Sequence, residues 1–479
     1  MLRDRFGLTV ATRDATTVEA LDRFAGEMLS HGKRADVVLA AAAADPECAL
    51  AQAYAAALFL CLQTLEGRTK AAPWLARAKE AAPRAGERER MVIAAIDAWA
   101  RGEIARTVDR LVAICRRHPR DMLAAKLAQI NQLSLGDRQG MRALGQHVLS
   151  ANRDVGFAWG LAAFGLEQCG EVDAAEAHGR LATDMNPNDP WAHHAVVHAL
   201  AGAGRVEEGL RWMEALAPSW DRCSSFMLTH NWWHTALLHI ALGRPTQALA
   251  LFDARVWGVR KTYVQDQVNA ISLLSRLDMQ GVGDTGRRWR DIADHVRPRL
   301  HDHVNGFLDL HFIYALARAG DGEAARAMLA SMARHAAIVG GAGGALWASV
   351  AVPAARGLVA YAEGQPVIAG RWLAPILYRL GALGGSTAQQ GWFQQIYFDC
   401  ALRASTTRTT APQPLPIGER SASEARRVRG SLQTRGASHQ ALRPAMTPPH
   451  PPRASRGSTS PRWGEVKSPR ATVVAVAAS

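Results

Sequence analysis

Through roughly the first four hundred residues, apolar positions gather into blocks of helical length, and block after block closes on a glycine before the next begins. Counting from Arg88, Met122, Gly156 and Pro190, a glycine occupies the fifteenth place every time, as Gly102, Gly136, Gly170 and Gly204. The spacing predicts a helix, a tight turn and a second helix in every 34 residues. No stretch carries the strict alternation of a half-buried strand. The expected fold class is all-α, an α-α superhelix of stacked helix pairs in which each pair buries its apolar face only against its neighbours.

The unit from Gly156 reads GFAWGLAAFGLEQCGEVDAAEAHGRLATDMNPND. Trp159 is expected to fill the space between the two helices, and Gly170 to end the first without a Cβ penalty. Ala175 and Ala182 would let the second helix approach a neighbour closely, and Pro187 would end it. Less regular copies start near Ala53 (closing on Gly67), Thr229 (Gly243, Ala248, Phe252), Gly306 (Gly320, Ala325, Leu329) and Val350 (Gly364, Ala369). A further pair is expected between Thr262 and Leu300. Thirty-four residues is the length of the tetratricopeptide helix-turn-helix unit, so residues 1–404 are expected to form a tetratricopeptide-like α-solenoid.

From Ser405 onward the composition changes. Ten of the chain's 22 prolines lie there, with almost no apolar periodicity. Twelve Lys and Arg stand against three Glu, so nine of the net +13 charges belong to residues 405–479. Such a segment cannot bury enough apolar surface to offset its ordering entropy. It is expected to be a disordered Pro/Arg-rich tail, or text read past the end of the native frame. Its charge would attract polyanions without specificity, and it carries no interleaved aromatics, so no specific nucleic-acid partner is expected.

The six cysteines are scattered without a CxxC pair and are expected to be small buried apolar residues in a reducing compartment. The amino terminus has charges in place of an apolar signal core. The uncharged run 336–355 is interrupted by Gly340, Gly341, Gly343, Gly344 and Pro353, which predicts a loop entering a buried helix rather than a membrane insertion. The expected location is the cytosol.

Candidate chemistry lies in the histidines. WAHHAVVHALAGAG places His194 and His198 four apart, and HNWWHTALLHIALG does the same for His230 and His234. On a helix that spacing puts both rings on one face. HDHVNGFLDLHFIYALARAG adds His311, with Asp309 two residues earlier. Tetratricopeptide stacks line their concave groove from first-helix places near two, five, nine, twelve and thirteen. His230, His194 and His198 fall at places two, five and nine, and His234 and His311 at six. One reading is a groove pocket of imidazoles suited to metal, phosphate or carboxylate, with Trp233 as its apolar wall and Asp309 near its rim. The other is a set of packed or hydrogen-bonded inter-repeat residues. HxxxH alone does not define a metal site, and no HExxH, GxSxG or GxxxxGK[ST] motif is present, so cofactor and catalytic residues stay unassigned.

In order, GLEQCGEVDAAEAHGRLATDMNPNDPWAHHAVVHALAGAGRVEEGLRWMEALAPSW, HNWWHTALLHIALGRPTQALALFD, DQVNAISLLSRLDMQG, HDHVNGFLDLHFIYALARAG and GGSTAQQGWFQQI resemble the tetratricopeptide repeat protein 38 family over about residues 1–404. The resemblance implies a cytosolic α-solenoid without established chemistry. The chain departs from that wording at Thr387, where a histidine is expected, and at Gln390, where an arginine is expected. The function expected from all this is a repeat scaffold that holds a protein or peptide segment, or a small polar ligand, in its concave groove. The alternative is an enzyme or metal-dependent binding protein built on the histidine cluster.

Overall fold

The structure, a computed structural model, describes the backbone of residues 2–410 and the side chains of residues 2–405. All but six residues of the expected tail therefore lie outside the described residues. Apart from a two-strand hairpin, Leu2–Arg3 with Thr9–Val10, the regular elements among the described residues are helices. The four regular units appear as the pairs Glu87–Ala100 with Ile104–Arg117, Met122–Leu135 with Arg138–Ala151, Gly156–Glu167 with Val172–Met185, and Pro190–Gly202 with Val206–Leu216. The architecture is a tetratricopeptide-like α-solenoid, and the glycines at place fifteen all have positive φ, from 66° at Gly136 to 80° at Gly170.

Unit is joined to unit by polar staples as well as apolar faces. Asp121, just ahead of one first helix, caps it by accepting from the Ala124 amide at 2.9 Å, and also accepts from Arg88 of the preceding unit at 2.8 Å. Asp189 caps the helix at Pro190 through the Trp191 and Ala192 amides at 3.0 and 3.2 Å. Ala175 and Ala182 are fully buried, as the close-approach reading requires.

The flanks correct several details. Gly67 is not a turn glycine: the first helix there, Ala49–Leu60, stops earlier, Gln63 takes the left-handed conformation (φ 55°), and Thr64 caps a second helix by accepting from the Gly67 amide at 2.9 Å. Trp159 does meet the second helix of its unit, its ring 5.1 Å from that of His178, but it stays half-exposed with its indole N–H on the Arg153 carbonyl; Phe164 is the aromatic with no exposure. The unit placed at Thr229 begins one turn earlier, at Ser225. The glycine run is helix from Gly341 onward, with left-handed backbone at Gly340 and Gly341 only. Residues 341–362 are apolar and long enough to cross a membrane, but half of that stretch is buried within the body.

The superhelix turns far enough for late units to rest on early ones. The Gly385 amide donates to the Leu133 carbonyl at 3.2 Å, and Thr387 donates through its amide to Gln168 Oε1 at 3.1 Å and through its hydroxyl to Glu167 at 3.0 Å. Gln265 bonds Gln63, and the Ser224 amide donates to the His31 carbonyl at 2.6 Å. Gly136 sits at this seam: a Cβ there would lie 2.0 Å from the Gly381 carbonyl oxygen, so backbone meets backbone only because no side chain intervenes. The concave face becomes an interior.

Candidate functional site

Among the helices that wall that interior are α1 (Ala15–Ser30), α2 (Met122–Leu135), α3 (Gly156–Glu167), α4 (Pro190–Gly202), α5 (Ser225–Ala241), α6 (Val264–Met279), α7 (Gly306–Arg318) and α8 (Thr387–Thr410). One turn apart on α4, His194 and His198 face His230 and His234, one turn apart on α5. Ring centroids lie 4.5 Å apart for His194 with His198 and for His198 with His234, and 4.8 Å apart for His194 with His230, His194 with His234 and His230 with His234. Trp233 stacks on His230 at 5.2 Å and is fixed by its indole N–H on Ser272 Oγ at 3.0 Å. It is fully buried behind the ring of His230, and it borders neither of the two cavities at the cluster.

All four rings are buried. Burial pushes His230 down to about 4 and holds His194 and His234 well below the usual imidazole value, with the neighbouring rings adding to the effect. His194, His230 and His234 are therefore neutral, each with one donor and one acceptor nitrogen. Against burial, which alone would raise it, His198 at 3.2 Å holds the Glu167 carboxyl below its ordinary value.

The cluster divides two cavities. His194 and His230 face one of about 230 Å³, together with Trp191, Phe226, Phe164 and Lys126. His198 and His234 face another of about 510 Å³, together with Glu167 and Thr387. In the first, Lys126 is 1% exposed, its Nζ lies 4.1 Å from the centre of the Trp191 ring and 2.8 Å from His31 Nε2. Burial pushes the Lys126 ammonium down to about 7, with Asp189 opposing the shift. Gln129 orients Trp191 by accepting its indole N–H at 3.2 Å and is itself tied to the Leu161 carbonyl at 2.9 Å. Gln63, Ser134 and Asn305, partly exposed, also line it, as does Glu27.

Two expected site residues stand apart. Asp309 is not at a rim: it is 1% exposed and paired at 2.5 Å with His303 Nδ1, whose other nitrogen meets Ser331 Oγ at 2.7 Å. His311 lies one turn into α7 with Nδ1 on the Phe307 carbonyl at 2.8 Å and its ring 4.4 Å from that of Trp392. An aromatic pocket between α7 and α8 holds it, because α8 packs across this end of the interior.

Lys126 and Glu167 join the site from repeat places that mark the groove face. Lys126 is fifth in its unit, the place His194 holds in a later one, and Glu167 is twelfth, another groove place. His31 precedes the repeats, in left-handed backbone (φ 51°) just past α1, and no period points to it.

No family model matches the chain. Among solved structures, the chain is similar to the TPR domain of P58(IPK), at 15% identity and a TM-score of 0.21, over 68% of this chain and 94% of that one. The helix pairs and left-handed turns described above carry the fold assignment by themselves.

Proposed function

We propose that the protein is a small-ligand-binding α-solenoid, and that its ligand is a compact planar organic carboxylate held in the 230 Å³ cavity. The observation that carries this reading is Lys126. A buried ammonium needs a counter-charge; Asp189 acts on this one only from beyond hydrogen-bond reach, and the polar partner of its Nζ among the described residues is the neutral ring of His31. An incoming carboxylate would supply the charge, Trp191 and Phe226 would take the flat body, and Gln129 and His194 would offer polar edges. A peptide in an open groove is the less favoured form of the scaffold reading, since the seam at Gly385 and Thr387 folds late units over the concave face. The motif order supports membership of the tetratricopeptide repeat protein 38 family, and six unpaired cysteines are in keeping with a cytosolic location.

The test is thermal stabilisation by a panel of small planar monocarboxylates, benzoate among them, on the full chain and on Lys126→Met. The reading expects at least one member to raise the melting temperature of the wild type and not of the variant. A panel that stabilises neither protein, or both equally, contradicts it.

A further inference from the structure

The four-histidine cluster between the two cavities has a hydrogen-bonding problem. His194 Nε2 lies 3.0 Å from His198 Nε2 and 3.0 Å from His230 Nε2. The partners on the far side of the latter two rings fix their tautomers. His230 Nδ1 faces Asn269 Oδ1 at 2.9 Å, and that amide is oriented because its Nδ2 donates to Thr229 Oγ1 at 3.2 Å while Thr229 donates to Asp266 at 2.9 Å. His230 therefore donates from Nδ1 and presents a lone pair at Nε2. His198 Nδ1 donates to Glu167 Oε1 at 3.2 Å, so the neutral form of that ring, the form that binds a cation, presents a lone pair at Nε2 as well. A ring nitrogen carries one proton or one lone pair along one in-plane direction. His194 Nε2 thus cannot satisfy both neighbours with a linear hydrogen bond.

We infer that these imidazoles form a binding site for a divalent first-row transition cation, with His194, His230 and His234 as ligands and His198, its Nε2 3.0 Å from that of His194, drawn in as the fourth. A cation accepts every lone pair at once. Zinc-to-imidazole bonds of about 2.0–2.1 Å in a tetrahedron place ligand nitrogens about 3.3 Å apart, so the observed 3.0 Å separations need open by only a few tenths of an ångström. His234 Nε2, buried and without a hydrogen-bond partner, supplies the independent sign that a ligand belongs here; the donor atoms of His194, His230 and His234 lie within 4.8 Å of one another. Glu167 on His198 and Asn269 on His230 are the outer-shell acceptors that orient metal-bound histidines. An all-imidazole set with no thiolate favours zinc, copper, nickel or cobalt over calcium or magnesium. The site does not require the carboxylate reading: it uses no contact of Lys126, although His194 and His230 also border the cavity of that reading.

The experiment strips the full chain with a chelator, reloads it with Zn²⁺ or Co²⁺ in the absence of any carboxylate, and removes excess ion by gel filtration. One equivalent per chain is expected to remain on the wild type. His230→Gln and His234→Gln should each lose at least tenfold in affinity while keeping their helical content. X-ray absorption on the zinc-loaded wild type should give nitrogen ligands near 2.0 Å with the outer-sphere signature of imidazole, a readout that needs no variant to fold. Retention of less than about a tenth of an equivalent, an oxygen-only shell, or full loading of the folded variants overturns the inference.

Discussion

Replacing His311 by glutamine distinguishes a packed histidine from a ligand-holding one. Burial against Phe307, Trp392 and Phe393 pushes His311 down to about 3 from the 6.5 of a free side chain, in spite of its hydrogen bond to the Phe307 carbonyl. Below pH 6.5 the unfolded chain takes up a proton at this position that the folded chain refuses. The stability contributed at this site is therefore complete above pH 6.5 and is lost as the pH falls toward 3. The slope is about 1.4 kcal/mol per pH unit, so at pH 5 the wild type has lost about 2 kcal/mol on account of this one ring. Glutamine does not titrate. At pH 7 the variant should be less stable than the wild type by about 1–3 kcal/mol, the usual range for disturbing a packed, hydrogen-bonded side chain. At pH 5 the gap should have closed by about 2 kcal/mol. Urea unfolding followed by helical ellipticity at both pH values measures the difference. The other buried histidines, and Asp266 and Asp309 with their raised values, tilt both curves alike and cancel. A gap of the same size at pH 7 and pH 5 would refute the reasoning.

Phe164→Ala should cost about 3–5 kcal/mol as a buried cavity, whereas half-exposed Trp159→Ala should cost only about 1–2, measured by urea unfolding; the reverse order would mean that the wrong aromatic has been placed in the core. Gly170→Ala, with open space around its Cβ, should cost about 1–2 kcal/mol of left-handed strain, whereas Gly136→Ala should cost about 3 or more, because its Cβ would meet the Gly381 carbonyl at 2.0 Å. Equal losses would argue that the seam closing the interior does not form in solution. Asp189→Ala should cost about 1 kcal/mol through loss of the cap on α4, read as a lower melting temperature with unchanged helical content at 20 °C or so.

The helix pairs were legible because a turn that needs a left-handed residue recurs at a fixed interval, and Gly102, Gly136, Gly170 and Gly204 advertise it. Where another residue fills that role, as Gln63 does, the period misplaces the turn by four residues and draws in Gly67. The histidine quartet was legible for the same reason, since four-residue spacing on two consecutive first helices fixes both face and depth. His311 shares the repeat place of His234 but not its surroundings, and neither does its neighbour Asp309: α8, which comes from far along the chain, covers one and His303 pairs with the other. Lys126 reads as an ordinary solvated lysine until the closure of the superhelix buries it, and closure is a sum of small rotations between units that no single stretch of sequence encodes.

Isothermal titration of the wild type with the carboxylate that stabilises it most, between pH 6 and pH 9, asks whether Lys126 holds the ligand. A ligand carboxylate stays ionised over that range, so the charge it reads is that of Lys126, which burial brings down to about pH 7 against the opposing pull of Asp189. The account predicts an affinity that is level up to that pH and falls by about tenfold for each unit above it, with proton uptake on the alkaline limb and no binding by Lys126→Met. An affinity that does not change with pH, or that survives the loss of the lysine, would contradict it.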